Sequence, residues 1–277
     1  MKSRRIQQTT LFQSVFAVLV LVSSARLTRA QEVDDEREFS YDEKSETGPP
    51  HWGRLRPGWE VCNSGKMQSP IDLLNERVEI VPDLGRLRRY YKPSNATIVN
   101  RGHDVMIRWN GAGYIQINGT IFELKQTHWH SPSEHTLDGR RFTMEVHLVH
   151  ESEDNRTAVI GVMYKIGRPD SFLSLIERSL RAVTNSGNVE RSIGVFDPKL
   201  IKFGSRKYYR YMGSLTTPPC TENVIWTIIR KVRTVTREQI KLVRKAVHDD
   251  SEANARPIQQ LNERALLLYR PRDLEMK

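Results

Sequence analysis

"YIQINGTIFELKQTHWH" runs from Tyr114 to His130, and its reading decides how the rest of the chain is taken. Apolar and aromatic residues alternate with polar ones on both sides of Asn118-Gly119, the pattern of two half-buried strands joined by a tight turn. The same period of two puts His128 and His130 on one side of a strand. Their Cβ atoms then stand roughly 7 Å apart, near enough for both imidazoles to reach one ion. Taken alone, a His-x-His pair is more often an ordinary strand feature than a metal site, so its meaning depends on what surrounds it.

Working outward, "NATIVNRGHDVMIRW" (Asn95 to Trp109) and "FTMEVHLVHE" (Phe142 to Glu151) repeat the alternation. In the second, Met144, Val146 and Leu148 face one way and leave Glu145 and His147 on the other. If that strand neighbours the first, His147 supplies a third nitrogen. Three neutral imidazoles with a fourth position open are the donor set of a catalytic zinc site. Trp129 then packs on the opposite face, and Trp109 and Trp226 read as core. "AVIGVMYKIG" (Ala158 to Gly167) and "NVIWTIIRKV" (Asn223 to Val232) are more continuously apolar and suit central strands. Two helices punctuate the pattern. One lies in "PDSFLSLIERSLRAV", with Phe172, Leu175, Ile176 and Leu180 on one face; the other is in "TREQIKLVRKAV", with Thr236 and Gln239 as a capping box. No internal repeat is visible. The expected fold is a β-dominated α+β single domain, with a large central, mostly antiparallel twisted sheet and peripheral helices.

The ends of the chain read differently. Lys2, Arg4 and Arg5 precede the apolar run "LFQSVFAVLVLV", and Thr28-Arg29-Ala30 offers a small-residue cleavage site, so residues 1–30 are expected to be a secretory signal peptide. The run is too short for a membrane span, which needs about 20 apolar residues, and no later segment is long enough. No integral membrane anchor is expected. Residues 31–50, including "QEVDDEREFSYDEKSE", read as a flexible polar leader. The folded domain is expected over residues 51–270, and residues 271–277 form a polar C-terminal tail.

The formal charge is +10, but five of the 43 basic residues and none of the 33 acidic ones lie in the first thirty positions. That leaves an excess of five on the mature chain, which is too small to require a nucleic acid. "RLRR" (Arg86 to Arg89) and the basic spacing from Ile229 to Arg233 have no compact nucleic-acid motif beside them, so they read as solvated surface. On an oxidising route the two cysteines, Cys62 and Cys220, are expected to pair. Asn95, Asn118 and Asn155 each begin an acceptor triplet for N-glycosylation.

Several separated motifs agree with one another: "PPHWG", "QSPIDL", "NRGH", "HWHSPSEH", "MEVHLVH", "SLTTPPC" and "NARPIQQLNER". Together they resemble the alpha-class carbonic anhydrases, particularly secreted plant members, from about His51 to Arg264. The resemblance implies zinc-dependent, reversible hydration of carbon dioxide to bicarbonate and a proton by a zinc-bound hydroxide. It implies Zn2+ as the cofactor, with carbon dioxide, bicarbonate and water as the molecules handled. His128, His130 and His147 match the metal ligands. Gln126, Glu145 and the backbone carbonyl of Asn254 match the groups that hold the outer nitrogens of His128, His147 and His130. Thr216 and Glu134 match the pair that orients the hydroxide, Thr217 a substrate-positioning residue, and Val149, Val159, Leu215 and Trp226 the apolar substrate pocket. His103 matches the proton shuttle, suited to that role by an ordinary pKa near neutrality.

The sequence departs from the better-known animal pattern in three places. Arg54 stands for a tyrosine, Arg101 for a small polar residue beside the shuttle, and Met106 for an asparagine. These changes are expected to disturb the water channel, with Arg101 repelling a protonated His103. Cys62 and Cys220 match a disulfide of secreted members, one that tethers the N-terminal segment to the Thr216 loop. A storage or binding protein on the same shell is the alternative of a different class. The destination implied is the secretory pathway, leading to the cell exterior or to a chloroplast reached through the secretory route.

Overall fold

The computed structural model describes residues 38–184, 189–245 and 253–271. The expected signal peptide, residues 31–37 of the polar leader and residues 272–277 lie outside these.

A 12-stranded sheet dominates the described residues. Its neighbours run in the order Glu190–Phe196, Ser94–Asn100, Val105–Trp109, Thr120–His130, Met144–Glu151, Thr157–Ile166, Glu222–Val235, Tyr208–Ser214, Leu266–Tyr269 and Val78–Ile80. Gly113–Ile117 also pairs with Thr120–His130 and carries Arg89–Tyr91. Pairing is antiparallel except where Thr157–Ile166 meets Glu222–Val235 and where Leu266–Tyr269 meets Val78–Ile80. The mixed fold with a mostly antiparallel central sheet is therefore the one expected. Asn118, with φ of 48°, turns Gly113–Ile117 into Thr120–His130 at the site of the Asn-Gly signal.

The strand alternation sorts the two faces. Ile107, Trp129, Val146, Leu148, Ile160 and Val162 point into one apolar core, which the helix Ser171–Val183 covers. Val149, Val159, Met163, Leu215, Trp226 and Ile228 form a second core on the opposite face. Trp129 and Trp109 sit in the first core as expected, with Trp129 stacked on Phe172.

Both helices form where the periodicity places them. Asp170 caps the first by accepting from the backbone of Phe172 and Leu173, and Thr236 and Gln239 make a reciprocal capping box on Arg237–Arg244. One face assignment needs correcting. Leu175 is 55% exposed, and Leu173 takes its place in the core. At 100° per residue, Phe172, Leu173, Ile176, Leu180 and Val183 span about a 100° arc from which Leu175 points away.

The polar leader also needs correcting over the residues that are described. Phe39 and Tyr41 are buried and pack edge-on against each other and against Trp52, in a third apolar cluster with Trp59, Cys62 and Cys220. Two aromatic rings in an otherwise charged stretch suffice to anchor it, because each removes a large apolar area from water. Cys62 and Cys220 are disulfide-bonded, as expected. No helix among the described residues is long and apolar enough to cross a membrane.

Candidate metal centre

Cross-strand register assembles the site. His130 pairs with Glu145, His128 with His147, and Gln126 with Val149, so these six residues share one face of two adjacent strands. The rows continue sideways: Met106 and Gly161 flank the His128–His147 pair, and Val159 and Trp226 extend the Gln126–Val149 row. Period-two geometry thus accounts for the whole constellation, including the third histidine.

The three imidazoles converge. Their candidate ligand atoms lie within 4.8 Å of one another, and His128 Nε2 is 3.3 Å from His147 Nδ1. That is about the spacing of two nitrogens sharing one tetrahedral ion at about 2.0–2.1 Å. Each remaining ring nitrogen is held from outside: His128 Nδ1 by Gln126 Oε1 at 2.7 Å, His130 Nδ1 by the Asn254 carbonyl at 2.6 Å, and His147 Nε2 by Glu145 Oε1 at 3.0 Å. These acceptors draw the protons outward, so the lone pairs of His128 Nε2, His130 Nε2 and His147 Nδ1 face one another. His130 Nε2 and Glu134 Oε2 are buried with no hydrogen-bond partner among the described residues, which marks a place where something else belongs. The residues present therefore fit a metal ion.

Electrostatics points the same way. Burial pushes His128 well below its ordinary pKa against the pull of Asp104, with His130 and His147 adding to the drop. Burial also lowers His147, against Glu145. Neutral imidazoles, the ligating form, result. His130 is raised, because Glu134 and the Asn254 carbonyl outweigh its burial; a cation in the cluster competes for that proton. Glu145 stays ionised despite burial because His135 and His147 hold its pKa down.

Around the trio, Glu134 Oε1 accepts from the Arg256 backbone at 2.9 Å. Its Oε2 lies 3.6 Å from His130 Nε2 and 3.9 Å from His147 Nδ1. Thr216 and Thr217 are both buried, and the Thr217 hydroxyl has no partner among the described residues. Val149, Val159, Leu215 and Trp226 belong to one apolar cluster, and the Trp226 ring lies 4.8 Å from that of His147. Asn95, Asn118 and Asn155 are exposed.

Some residues matter that the sequence reading left without a role. His135 donates its backbone N–H to Glu145 Oε2 and contacts Glu145 Oε1 through Nδ1 at 2.8 Å, while its Nε2 meets the Tyr211 hydroxyl at 2.7 Å. A chain of Ser69, Tyr211, His135 and Glu145 thereby ends on His147. Arg256 is buried and binds Gln68 Oε1, Ser69 O and Cys62 O with its guanidinium. Both stood inside quoted motifs, but nothing in their spacing marks the partners. His103 also differs from expectation. It is 1% exposed, neither ring nitrogen has a partner in hydrogen-bonding geometry among the described residues, and burial pushes its pKa down to about 4 against Asp104. Arg101 does lower the pKa of His103, the direction expected of a cation beside it, but it is also ion-paired with Asp104 at 2.5 Å, and Asp104 acts the opposite way.

The three histidines form a candidate metal centre on the face of a mostly antiparallel sheet. Residues 47–270 match the model of the eukaryotic-type carbonic anhydrase family, and the chain belongs to that family. Alpha carbonic anhydrase 7 of Arabidopsis thaliana is 57% identical over 262 residues, 94% of this chain and 95% of that protein. The crystal structure of dioscorin complexed with ascorbate superposes with a TM-score of 0.83 at 44% identity, over 85% of this chain and 99% of that one. The alpha-carbonic anhydrase of Thermovibrio ammonificans, solved with the inhibitor sulfanilamide, does so at 0.76 and 35% identity, over 83% of this chain and 98% of that one.

Proposed function

We infer that the protein is a zinc enzyme that interconverts carbon dioxide and water with bicarbonate and a proton. The observation that carries this reading is the convergence of three imidazole lone pairs, each fixed by an acceptor on its other nitrogen. Three nitrogen donors without a thiolate suit zinc. Zinc, when bound, supplies a Lewis acid that makes water nucleophilic near neutral pH.

The remaining parts belong to the chain. Val149, Val159, Leu215 and Trp226 offer an apolar wall to a small uncharged substrate, and the unpartnered Thr217 hydroxyl is available to hold substrate or product. Glu134, its Oε1 occupied by the Arg256 backbone, has Oε2 without a partner among the described residues and so open to accept from the Thr216 hydroxyl. Thr216 then accepts in turn and orients the attacking group. His103 passes the released proton to buffer once its ring reaches water. The Cys62–Cys220 disulfide supports an oxidising setting, in keeping with the secretory pathway as destination and either the cell exterior or a chloroplast as endpoint. The three exposed acceptor asparagines fit that route.

Metal exchange tests the reading. Removing bound metal with a chelator abolishes carbon dioxide hydration and adding zinc restores it; hydration that persists in the metal-free protein contradicts it.

A further inference from the structure

The segment before Trp52 is folded back on itself. Ser40 N donates to Thr47 O at 2.9 Å, Gly48 N to Ser45 O at 3.0 Å, and the Trp52 indole to Ser40 O at 3.0 Å. The loop closes tightly at Gly48, where a Cβ would stand 2.0 Å from the Asp42 carbonyl oxygen. Glu38 is tied to Arg56 at 2.8 Å. This anchored loop presents Phe39, whose ring centroid lies 5.0 Å from that of His103. His103 is thereby enclosed with both ring nitrogens lacking a hydrogen-bond partner among the described residues. An imidazole buried without partners forgoes the hydrogen bonds that water would give it. The Phe39 ring packs against it there, and the Arg101 backbone is a polar group that acts on it.

We propose that Phe39 restrains proton transfer by sheltering His103: its ring seats the imidazole away from water, and the imidazole must part from Phe39 before it can exchange a proton with solvent. The proposal rests on His103 being the proton-carrying group. Among the described residues the ring contacts of Phe39 are with Tyr41, Trp52 and His103, and with none of the three candidate metal-binding imidazoles. The proposal therefore places the effect of Phe39 on proton release, read in kcat at low buffer, and not on the attack on carbon dioxide, read in kcat/KM.

Two readouts on the purified protein separate this proposal from the broader reading. The first is labelling of imidazoles by diethyl pyrocarbonate, followed residue by residue with peptide mass spectrometry. In Phe39→Ala, His103 is expected to label about tenfold faster than in wild type, as expected when a buried group gains solvent. His150, buried and bonded to Tyr91 and Ala158, stays protected and reports that the fold is intact. Should His150 label too, Phe39→Leu, which keeps apolar volume beside Tyr41 and Trp52, takes over the same comparison. Equal His103 labelling in wild type and variant overturns the proposal.

The second readout is hydration at low buffer concentration. Phe39→Ala is expected to raise kcat about tenfold, a part of the roughly 10²–10⁴-fold that a positioned proton-transfer group contributes, and to leave kcat/KM unchanged. In a His103→Ala background the gain disappears. A gain of equal size without His103 overturns the proposal, as does a parallel change in kcat and kcat/KM. Absence of hydration in wild type overturns the reading as an enzyme, while the labelling still decides whether Phe39 shelters His103.

Discussion

Gly161 faces Glu145 across adjacent strands so closely that a Cβ on Gly161 would lie 2.7 Å from Glu145 Oε1, the atom that contacts His147. The same Cβ would stand 2.6 Å from Ile228 Cδ1. Glycine is needed here for space, since the residue sits in an ordinary strand opposite His147. Gly161→Ala is expected to push Glu145 off His147 and weaken zinc binding by about 10–100-fold, the usual cost of losing a group that orients a metal-bound histidine. Competition with a zinc-selective chelator measures it; unchanged affinity shows that Glu145 has room to move.

Arg256 joins three parts of the molecule. Its guanidinium reaches Cys62 O, Ser69 O and Gln68, it lies over the Trp52 ring, and its backbone fixes Glu134. Lysine cannot reproduce the planar fork. Arg256→Lys is expected to lower unfolding free energy by about 2–4 kcal/mol by leaving buried carbonyls unpaired. Urea denaturation reads this directly, and a loss below about 0.5 kcal/mol, the usual ceiling for inconsequential substitutions, speaks against the network.

The disulfide closes a separation of 158 residues and ends at Cys220, whose N–H donates to Thr217 O at 2.8 Å. Replacing both cysteines by serine is expected to cost about 2–5 kcal/mol of stability. Hydration activity should fall more than zinc content, because the bond secures the loop of Thr216 and Thr217 and no imidazole ligand. Parallel loss of zinc and activity would place the disulfide's effect on the metal site itself.

Acid should weaken the fold. Burial pushes His103 down to about 4 and His150 to about 3, against 6.5 for the free group. Between 6.5 and those values the unfolded chain binds protons that the folded chain refuses, so the stabilisation is complete above about 6.5 and is lost as pH falls. At pH 4.5 each group costs on the order of 2–3 kcal/mol. In metal-free protein, His150→Gln is expected to lose about 2 kcal/mol less than wild type between pH 7 and 4.5, read from urea midpoints. An identical pH dependence would mean that His150 titrates normally.

How much of this was legible in the chain follows from the range of each interaction. His128, His130 and Glu145 with His147 declare their shared faces through period-two spacing, and adjacency of the two strands does the rest. Thr236 and Gln239 announce a cap three residues apart. Leu175 misled because an apolar residue within one helical turn of the right arc looks like core until the neighbours are known. Phe39 and Tyr41 were hidden in a charged stretch whose composition resembles a solvated tail. Gly161 read as part of an apolar run; only the carboxylate on the next strand explains it. His135 and Arg256 act through partners 76 and 194 positions away, Tyr211 and Cys62, which no local pattern encodes. The solvent access of His103 is likewise a tertiary property.

The most direct test of the central claim is stopped-flow hydration of carbon dioxide, with zinc content determined on the same sample, for wild type and the His128→Ala, His130→Ala double variant. The account predicts one zinc per chain and rapid hydration in wild type, with both lost in the variant while the fold persists. A folded wild type that binds one zinc without hydrating carbon dioxide, or a variant that keeps its activity, would contradict it.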